Sequence, residues 1–152
     1  MRYWNVTDHY DIFHDLLVSY YREGEDADTP QAELDAFVEY LFRLCRQGEI
    51  EGCILAEQEK AAGFVLWYRD TPGSAFSHLP GYGTILEIGV QPASRGKGLG
   101  VELARFAEDR LRAAGADRFY VCAYGPAERF WLKMGYTDSG RLAENGLKLF
   151  EK

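Results

Sequence analysis

The residues with the clearest capacity for chemistry lie in one short glycine-rich turn. Arg95 and Lys97 alternate there with glycines at positions 96, 98 and 100, shortly after a segment that has the composition of a β-strand. A turn of this kind, when it leads into a helix, directs free backbone N–H groups and the positive end of the helix dipole at one point. Glycine lets phosphate oxygens approach the backbone, and the two cations can neutralise their charge. The turn therefore predicts a binding site for a phosphate or a pyrophosphate.

Two well-known phosphate-binding loops fit this turn poorly. A Walker A loop requires Ser or Thr after its Gly-Lys pair, and the chain has no such segment. A dinucleotide fingerprint requires a third glycine where the chain has Val101, and Pro92 interrupts the junction between strand and turn. Two interpretations of the turn remain, a site for a different pyrophosphate ligand and a turn without a ligand. The second is disfavoured, because each glycine at a helix start costs about 1 kcal/mol unless close approach requires it.

A second chemical feature is Glu87, an ionisable side chain inside an otherwise apolar predicted strand. Alternation along a strand places Glu87, Gly89 and Gln91 on one face. A carboxylate at such a position is a candidate general base, and a solvent-facing residue on a half-exposed strand is the competing interpretation.

The turn must be positioned by a strand before it and a helix after it. Residues 84–91 form the predicted strand, which Pro92 ends. The helix starts near Gly98 or Leu99 and runs to Ala114, because its apolar residues recur on one face at helical spacing.

The rest of the chain supplies the other elements of a sheet with helices on its faces. Two helices come early, and we expect Thr7 or Asp8 to cap the first and Thr29 to cap the second. The later segments are a β-hairpin over 53–69, a long loop over 70–83, a strand over 118–124, a short helix over 126–134 and two closing strands between 136 and 150. The order β-α-α-β-β-β-α-β-α-β-β predicts a mixed α/β fold with one central sheet.

Length and composition fit one folded domain over residues 1–152. The 47% of hydrophobic and 27% of charged residues exclude a disordered or collagen-like chain. The longest uncharged apolar run falls far below the roughly 18 residues of a membrane span, and no signal pattern opens the chain. We therefore expect a cytoplasmic protein without a membrane partner.

Charge and cysteine content narrow the partners and cofactors further. The formal net charge of −7 disfavours nucleic acid, because the molecule as a whole repels a phosphate backbone. Cys45, Cys53 and Cys122 form no CxxC pair and lie in apolar stretches, as reduced core thiols do. The three separated histidines give zinc no ligand set, so we expect no metal.

The turn and its surroundings resemble the GNAT superfamily of acyl-CoA-dependent N-acyltransferases. The signature of that family is Gln/Arg-x-x-Gly-x-Gly/Ala after a strand that ends in a V-x-P-like turn. It corresponds here to Arg95, Gly98 and Gly100 after Val90 and Pro92. The order of elements resembles the family over nearly the whole chain, as does the Lys-Met-Gly-Tyr ending at 133–136.

The resemblance implies acetyl-CoA, and hence coenzyme A, as the cofactor. It also implies a splayed pair of parallel strands, 84–91 and 118–124, with the pantetheine arm between them. Backbone groups of the first strand would pair with the arm, and amides of the turn would bind the pyrophosphate. The implied cofactor-binding residues are Ile88, Gly89, Val90, Arg95, Gly96, Lys97, Gly98, Leu99, Gly100, Val101, Tyr124 and Trp131.

Two positions depart from the residues usual in the family. Tyr124 stands where the family often has an Asn that contacts the cofactor arm, and Trp131 stands where many members have a Tyr that protonates the leaving thiolate. An indole N–H donates a hydrogen bond but is no proton-transfer acid near neutral pH. Tyr124 is therefore the candidate acid, with Tyr136 and Cys122 as other candidates and packing as the competing interpretation of each.

The acceptor site is bordered in this family by regions that are acidic or long in this chain. The acidic run Glu23, Glu25, Asp26 and Asp28 is one of them, and the loop over 70–83 is another. With the net charge, they favour a cationic acceptor such as an amine, a polyamine or a peptide N-terminus. The competing interpretation is a solvated loop, because charge runs usually face water.

The sequence therefore predicts an acetyl-CoA-dependent N-acetyltransferase, in which a primary amine of a small molecule or peptide attacks the thioester directly. A non-catalytic acyl-CoA-binding or regulatory module of the same fold is one alternative, motivated by Tyr124 and Trp131. An unrelated enzyme with another phosphate ligand is the other. The acceptor, the acyl chain length and the existence of a homodimer stay open.

Overall fold

The structure is a computed structural model that describes residues 2–24 and 26–152. Within these ranges it has seven strands and four α-helices, with short 3₁₀ turns at Val6–Asp8 and Pro92–Ser94. No helix of the described ranges has the length and apolar character needed to span a membrane.

The elements follow one another in the order predicted from the sequence. The helices are α1 Tyr10–Glu23, α2 Gln31–Arg46, α3 Leu99–Ala113 and α4 Pro126–Lys133. The strands are β1 Arg2–Asn5, β2 Glu51–Glu57, β3 Lys60–Arg69, β4 Gly83–Val90, β5 Phe119–Ala123, β6 Thr137–Leu142 and β7 Lys148–Glu151.

The strands form one sheet in the order β1-β2-β3-β4-β5-β7-β6. β1 pairs with β2, and β7 pairs with both β5 and β6, all antiparallel. β4 and β5 pair in parallel, with Gly83 opposite Phe119 and Thr84 opposite Tyr120. The mixed α/β fold class predicted from the sequence is confirmed.

The chain divides into two compact units, of which the first comprises Met1–Leu66 and Glu87–Leu103. Its helices α1 and α2 pack against each other. In α1 the buried side chains Phe13, Leu16 and Leu17 recur at helical spacing, as expected for an amphipathic helix with one face in a core. β2 is buried along almost its whole length, which is the pattern of a strand covered on both faces.

The second unit comprises Trp67–Leu86 and Ala104–Lys152. Its core includes the buried rings of Tyr120, Tyr136 and Phe150. Asp70 is also buried, and its Oδ2 accepts hydrogen bonds from the Tyr120 hydroxyl at 2.6 Å and from the backbone of His78 at 2.8 Å and Leu79 at 3.0 Å. This carboxylate fixes the loop after β3 to β5.

The predicted helix starts need two corrections. Asn5 rather than Thr7 or Asp8 provides a cap, because its Oδ1 accepts a hydrogen bond from the Thr7 N–H at 3.0 Å and starts the 3₁₀ turn that precedes α1. Thr29 does not cap α2. Its hydroxyl donates to Asp26 Oδ1 at 2.9 Å instead, and the helix begins at Gln31.

The three cysteines are free thiols, with Cys45 and Cys53 buried and Cys122 partly buried. Among residues 2–24 and 26–152, no group of three or more His, Cys, Asp or Glu side chains is arranged to hold a metal ion.

Candidate active site

The predicted phosphate loop is an exposed turn with two left-handed residues. Gly96 has φ +82° and Gly98 has φ +80°, and no atom of the described residues lies within 4 Å of a Cβ built on either. Backbone conformation rather than crowding therefore requires glycine at both positions. α3 begins directly afterwards at Leu99, and the first N–H groups of a helix have no intrahelical acceptor. The turn therefore meets the requirements of an anion site.

Both cations of the loop are paired with carboxylates of the first unit. Arg95 Nη2 lies 2.7 Å from Glu23 Oε2, and Arg95 Nε donates to the Val90 carbonyl at 3.0 Å. Lys97 Nζ lies 3.7 Å from Glu57 Oε1. These side chains are largely exposed, so the pairs contribute little to the free energy of unfolding. The cations are held near the loop by weak contacts that an anionic ligand can displace.

The end of β4 is shaped by two glycines that allow close packing. A Cβ on Gly89 would lie 2.7 Å from Phe64 Cε1 and 2.8 Å from Tyr20 Cδ1. A Cβ on Gly63 of β3 would lie 2.6 Å from the Gly89 carbonyl oxygen. The rings of Tyr20 and Phe64 meet edge to face, with centroids 5.4 Å apart. Glycine at these positions lets aromatic rings pack directly on the backbone of β4.

A shallow, solvent-open cleft with a cavity volume of about 20 Å³ lies over this end of β4. Its apolar wall is formed by Leu16, Tyr20 and Phe64, and its charged rim by Glu23 and Arg95. Gly89, Val90 and Gln91 also line it. Residues 89–91, which sequence reasoning placed near the cofactor or on the face of Glu87, therefore border a cavity.

Glu87 lies on β4 two residues before Gly89, and its side chain is partly accessible. Burial raises its pKa from the ordinary 4.5 to about 7, although the hydroxyls of Tyr20 and Tyr21 lower it, and the negative charge of Asp26 raises it further. A carboxyl group with a pKa near neutrality can both accept and release a proton under physiological conditions. Such a pKa is compatible with the general-base role assigned to Glu87 from the sequence, and that role stays a prediction.

Tyr21 is the more buried of the two tyrosines beside Glu87. Its hydroxyl makes no hydrogen bond of standard geometry with any described residue, yet it lies close enough to Glu87 to stabilise the charged carboxylate. Burial and the charge of Glu87 together raise the pKa of Tyr21 well above its ordinary range, so it keeps its proton.

The predicted residues beyond β4 and its loop belong to the second unit. Tyr124 follows β5 directly and is 43% exposed. Trp131 is buried, with its ring 4.9 Å from Phe130 and 5.1 Å from Tyr136 between centroids. Tyr136 is buried, and its hydroxyl donates to Glu108 at 2.8 Å. Burial first and then the charge of Glu108 raise the pKa of Tyr136, which weakens it as an acid. The roles assigned to Tyr124 and Trp131 stay predictions.

The acidic run behind α1 is only partly a solvated loop. Glu23 forms an ion pair with Arg95. Asp26 accepts a hydrogen bond from Thr29, and its negative charge raises the pKa of Glu87. Asp28 is exposed, and Glu25 lies outside the described residues.

Two residues and one contact of this site escaped prediction from the sequence. Tyr20 and Tyr21 gave only a helix signal, and no pattern linked Glu23 to Arg95, which lies 72 positions away. The one available signal was the coincidence of an acidic run in the region that borders the acceptor site with a cation in the loop.

Comparison with known proteins identifies the family of this chain. The chain matches the Acetyltransferase (GNAT) family over residues 10–136, and it therefore belongs to that family. A search of curated proteins finds no match.

Solved structures of the same fold share little sequence with this chain. A GCN5-related N-acetyltransferase from Ralstonia eutropha is 21% identical with TM-score 0.73, covering 94% of this chain and 95% of its own. The PaiA N-acetyltransferase from Thermoplasma acidophilum, solved in complex with coenzyme A, is 10% identical with TM-score 0.71, covering 100% and 99%. An aminoglycoside 6′-acetyltransferase type Ii is 18% identical with TM-score 0.72, covering 100% and 96%. At these identities the structures establish a common fold.

Proposed function

We propose that the protein transfers the acetyl group of acetyl-CoA to a primary amine by direct attack. The observation that carries the proposal is the exposed loop with left-handed Gly96 and Gly98, placed between the strand of Glu87 and the start of α3. It joins an anion site to a carboxyl group with a near-neutral pKa within one short segment.

The residues of the loop fit the diphosphate of coenzyme A. Amides of residues 96–101 and the side chains of Arg95 and Lys97 would hold the phosphates, because helix-start amides and cations both favour negative charge. The backbone of residues 88–90 would pair with the pantetheine arm. Acetyl-CoA supplies an acetyl group activated as a thioester.

Glu87 is the proposed general base. An alkylamine with a pKa near ~10.4 is almost wholly protonated at neutral pH and must lose a proton before it attacks. Since burial raises the pKa of Glu87 to about 7, its ionised form can accept that proton near neutral pH. Tyr124 is the proposed acid toward the leaving thiolate, whose pKa near ~8.5 makes an acid helpful but dispensable.

The placement of the phosphate site is tested by adding a carboxylate to the loop. Gly98→Asp should weaken the binding of desulfo-CoA by more than about 100-fold, since it puts a negative charge where the diphosphate lies and strains a left-handed residue. Calorimetric titration measures the affinity.

Gly48→Asp is the matched control. Gly48 is also a glycine of the first unit, with φ +77° and open space around its Cβ, but it follows α2. The control should bind desulfo-CoA like the unaltered protein. Undiminished binding by Gly98→Asp would reject the placement of the site.

A non-catalytic acyl-CoA-binding module is the alternative, and the buried indole of Trp131 favours it. Release of free thiol from acetyl-CoA, measured with a panel of primary amines, separates the two functions. An enzyme releases thiol with at least one amine above the rate without amine, whereas a binding module takes up acetyl-CoA and releases none.

A further inference from the structure

The ion pair between Glu23 and Arg95 closes one side of the cleft over β4. Glu23 is the last residue of α1, Arg95 belongs to the phosphate loop, and both line the cleft. Their contact at 2.7 Å joins the two sides of its rim. A group at this rim therefore faces the loop and the cavity at once.

Arg95 is held at two points that have different partners. Its Nε donates to the Val90 carbonyl at the end of β4, and its Nη2 contacts Glu23. The first contact keeps the guanidinium at the loop even when the second is lost. A diphosphate on the loop can therefore take over Nη2 without removing the side chain from its place.

The contact with Glu23 is weak enough to be displaced. The side chains of Arg95 and Glu23 are 54% and 41% exposed, and ion pairs of such exposure are screened by water and salt. A diphosphate carries more negative charge than one carboxylate and can accept hydrogen bonds from the guanidinium through several oxygens. Arg95 should therefore exchange Glu23 for the phosphates.

We propose that Glu23 recognises the cationic acceptor amine, and that Arg95 masks it until the phosphates of the cofactor draw Arg95 away. This inference rests on the proposed function and adds an acceptor-binding residue with a device that controls it. With the cofactor bound, Glu23 presents an unmatched carboxylate to the cleft. Without it, the carboxylate is neutralised by Arg95.

The walls of the cleft define the class of acceptor. Leu16 and Phe64 are buried at 4% and 1% exposure, so Tyr20, which is half-buried, presents the accessible aromatic surface next to the carboxylate of Glu23. An aromatic face also attracts a cation. The acceptor is therefore a primary ammonium compound with an apolar or aromatic part that can rest on Tyr20, rather than a highly polar polyamine.

The masking contact couples the two ligands. If the cofactor unmasks Glu23, a cationic amine binds better when the cofactor is present, and by linkage the amine tightens cofactor binding by the same factor. A neutral compound of the same shape gains nothing from the carboxylate.

The test measures the affinity for desulfo-CoA by calorimetry, with and without 2-phenylethylamine. Desulfo-CoA carries no thioester, so no transfer takes place. In the unaltered protein the amine should tighten desulfo-CoA binding about three- to five-fold, the size of a modest coupling, and 2-phenylethanol should leave it unchanged. Glu23→Gln should bind desulfo-CoA about two- to three-fold more tightly without amine and lose the effect of the amine.

Glu57→Gln is the matched control, because it makes the same change beside the other cation of the loop and does not line the cleft. The effect of the amine should persist in this variant. An equal effect of the amine in Glu23→Gln and the unaltered protein, or its absence in the unaltered protein, overturns the inference while cofactor binding stands. Failure of every variant to bind desulfo-CoA overturns the proposed function itself.

Discussion

Glu87 and Glu108 are both carboxylates in largely apolar surroundings, but their partners differ. Glu108 of α3 is 2% exposed and accepts from the Tyr136 hydroxyl at 2.8 Å and from Lys152 Nζ at 3.2 Å. The pKa of Glu87 is raised by burial, lowered by two tyrosine hydroxyls and raised by the like charge of Asp26. A carboxylate with a cation and a hydroxyl stabilises the fold, whereas one held only by hydroxyls keeps an adjustable proton.

Burial alone does not identify a candidate functional carboxylate. Glu108 is the more buried of the two, and its oxygens are occupied within the second unit. Glu87 shares its strand with residues that line a cleft and precedes the phosphate loop. The partners of the two carboxylates, rather than their depth, therefore separate them.

The largest expected effect is on catalysis by the variant Glu87→Gln. Removal of a general base should lower the rate of thiol release with an amine acceptor by about 100-fold near pH 7. The loss should be greatest below the pKa of the acceptor, where the amine must give up a proton, and the measurement is a pH-rate profile. Glu108→Gln is the control and should keep most of the rate. A profile of Glu87→Gln that matches the unaltered protein would remove Glu87 from the mechanism.

For stability the order of the two variants is reversed, and Glu108→Gln should have the larger effect. Glu108→Gln removes a charged acceptor from Tyr136 and the partner of Lys152, so the free energy of unfolding should fall by about 2 kcal/mol. Lys152 is 29% exposed, which limits the loss because water replaces part of the ion pair. Glu87→Gln should change the free energy of unfolding by less than about 1 kcal/mol at neutral pH. Urea unfolding measures both, and equal losses in the two variants would erase the distinction between the carboxylates.

Glu87 should also give stability a characteristic pH dependence. The folded protein releases this proton near pH 7, whereas the unfolded chain releases it near 4.5. The stability that the bound proton confers is therefore complete below pH 4.5 and is lost as the pH rises through 7. Relative to Glu87→Gln, the unaltered protein should lose about 1.5 kcal/mol across this range. This is roughly half of what about 1.36 kcal/mol per pKa unit gives, since the side chain is partly accessible. A difference between the two proteins that stays constant with pH would contradict the shifted pKa.

The smallest expected effect is that of Tyr21→Phe. The Tyr21 hydroxyl stabilises ionised Glu87 without a hydrogen bond of standard geometry, so its removal should raise the pKa of Glu87 further. The midpoint of the pH-rate profile should move upward by about half a pH unit, and the free energy of unfolding should change by less than about 1 kcal/mol. A midpoint that moves downward would show that the hydroxyl does not act on Glu87 in this way.

The order of elements could be predicted because it depends on local signals. The spacing of Phe13, Leu16 and Leu17 is enough to predict α1, and the glycines of the loop predict the turn before α3. Glu87 was found because a charge inside an apolar strand is unusual. The exact helix starts were missed, since Asn5 and Asp26 competed with the expected caps for their hydrogen bonds.

The partners of the site residues could not be predicted, since they come from distant parts of the chain. Glu23 and Arg95 meet only after α1 has packed beside the end of β4 in the first unit. The same holds for Gly89, whose lack of a side chain matters only because Tyr20 and Phe64 lie against it. Sequence patterns identify candidate residues, and tertiary packing decides which of them act on each other.

The most direct test of the account is a titration of Glu87 followed by NMR of ¹³C-labelled glutamate carboxyl groups, with Glu87→Gln to assign the signal. We expect a midpoint near pH 7, about the value that burial and the neighbouring groups give. A midpoint near the ordinary 4.5 would contradict the assignment of Glu87 as a base with a near-neutral pKa.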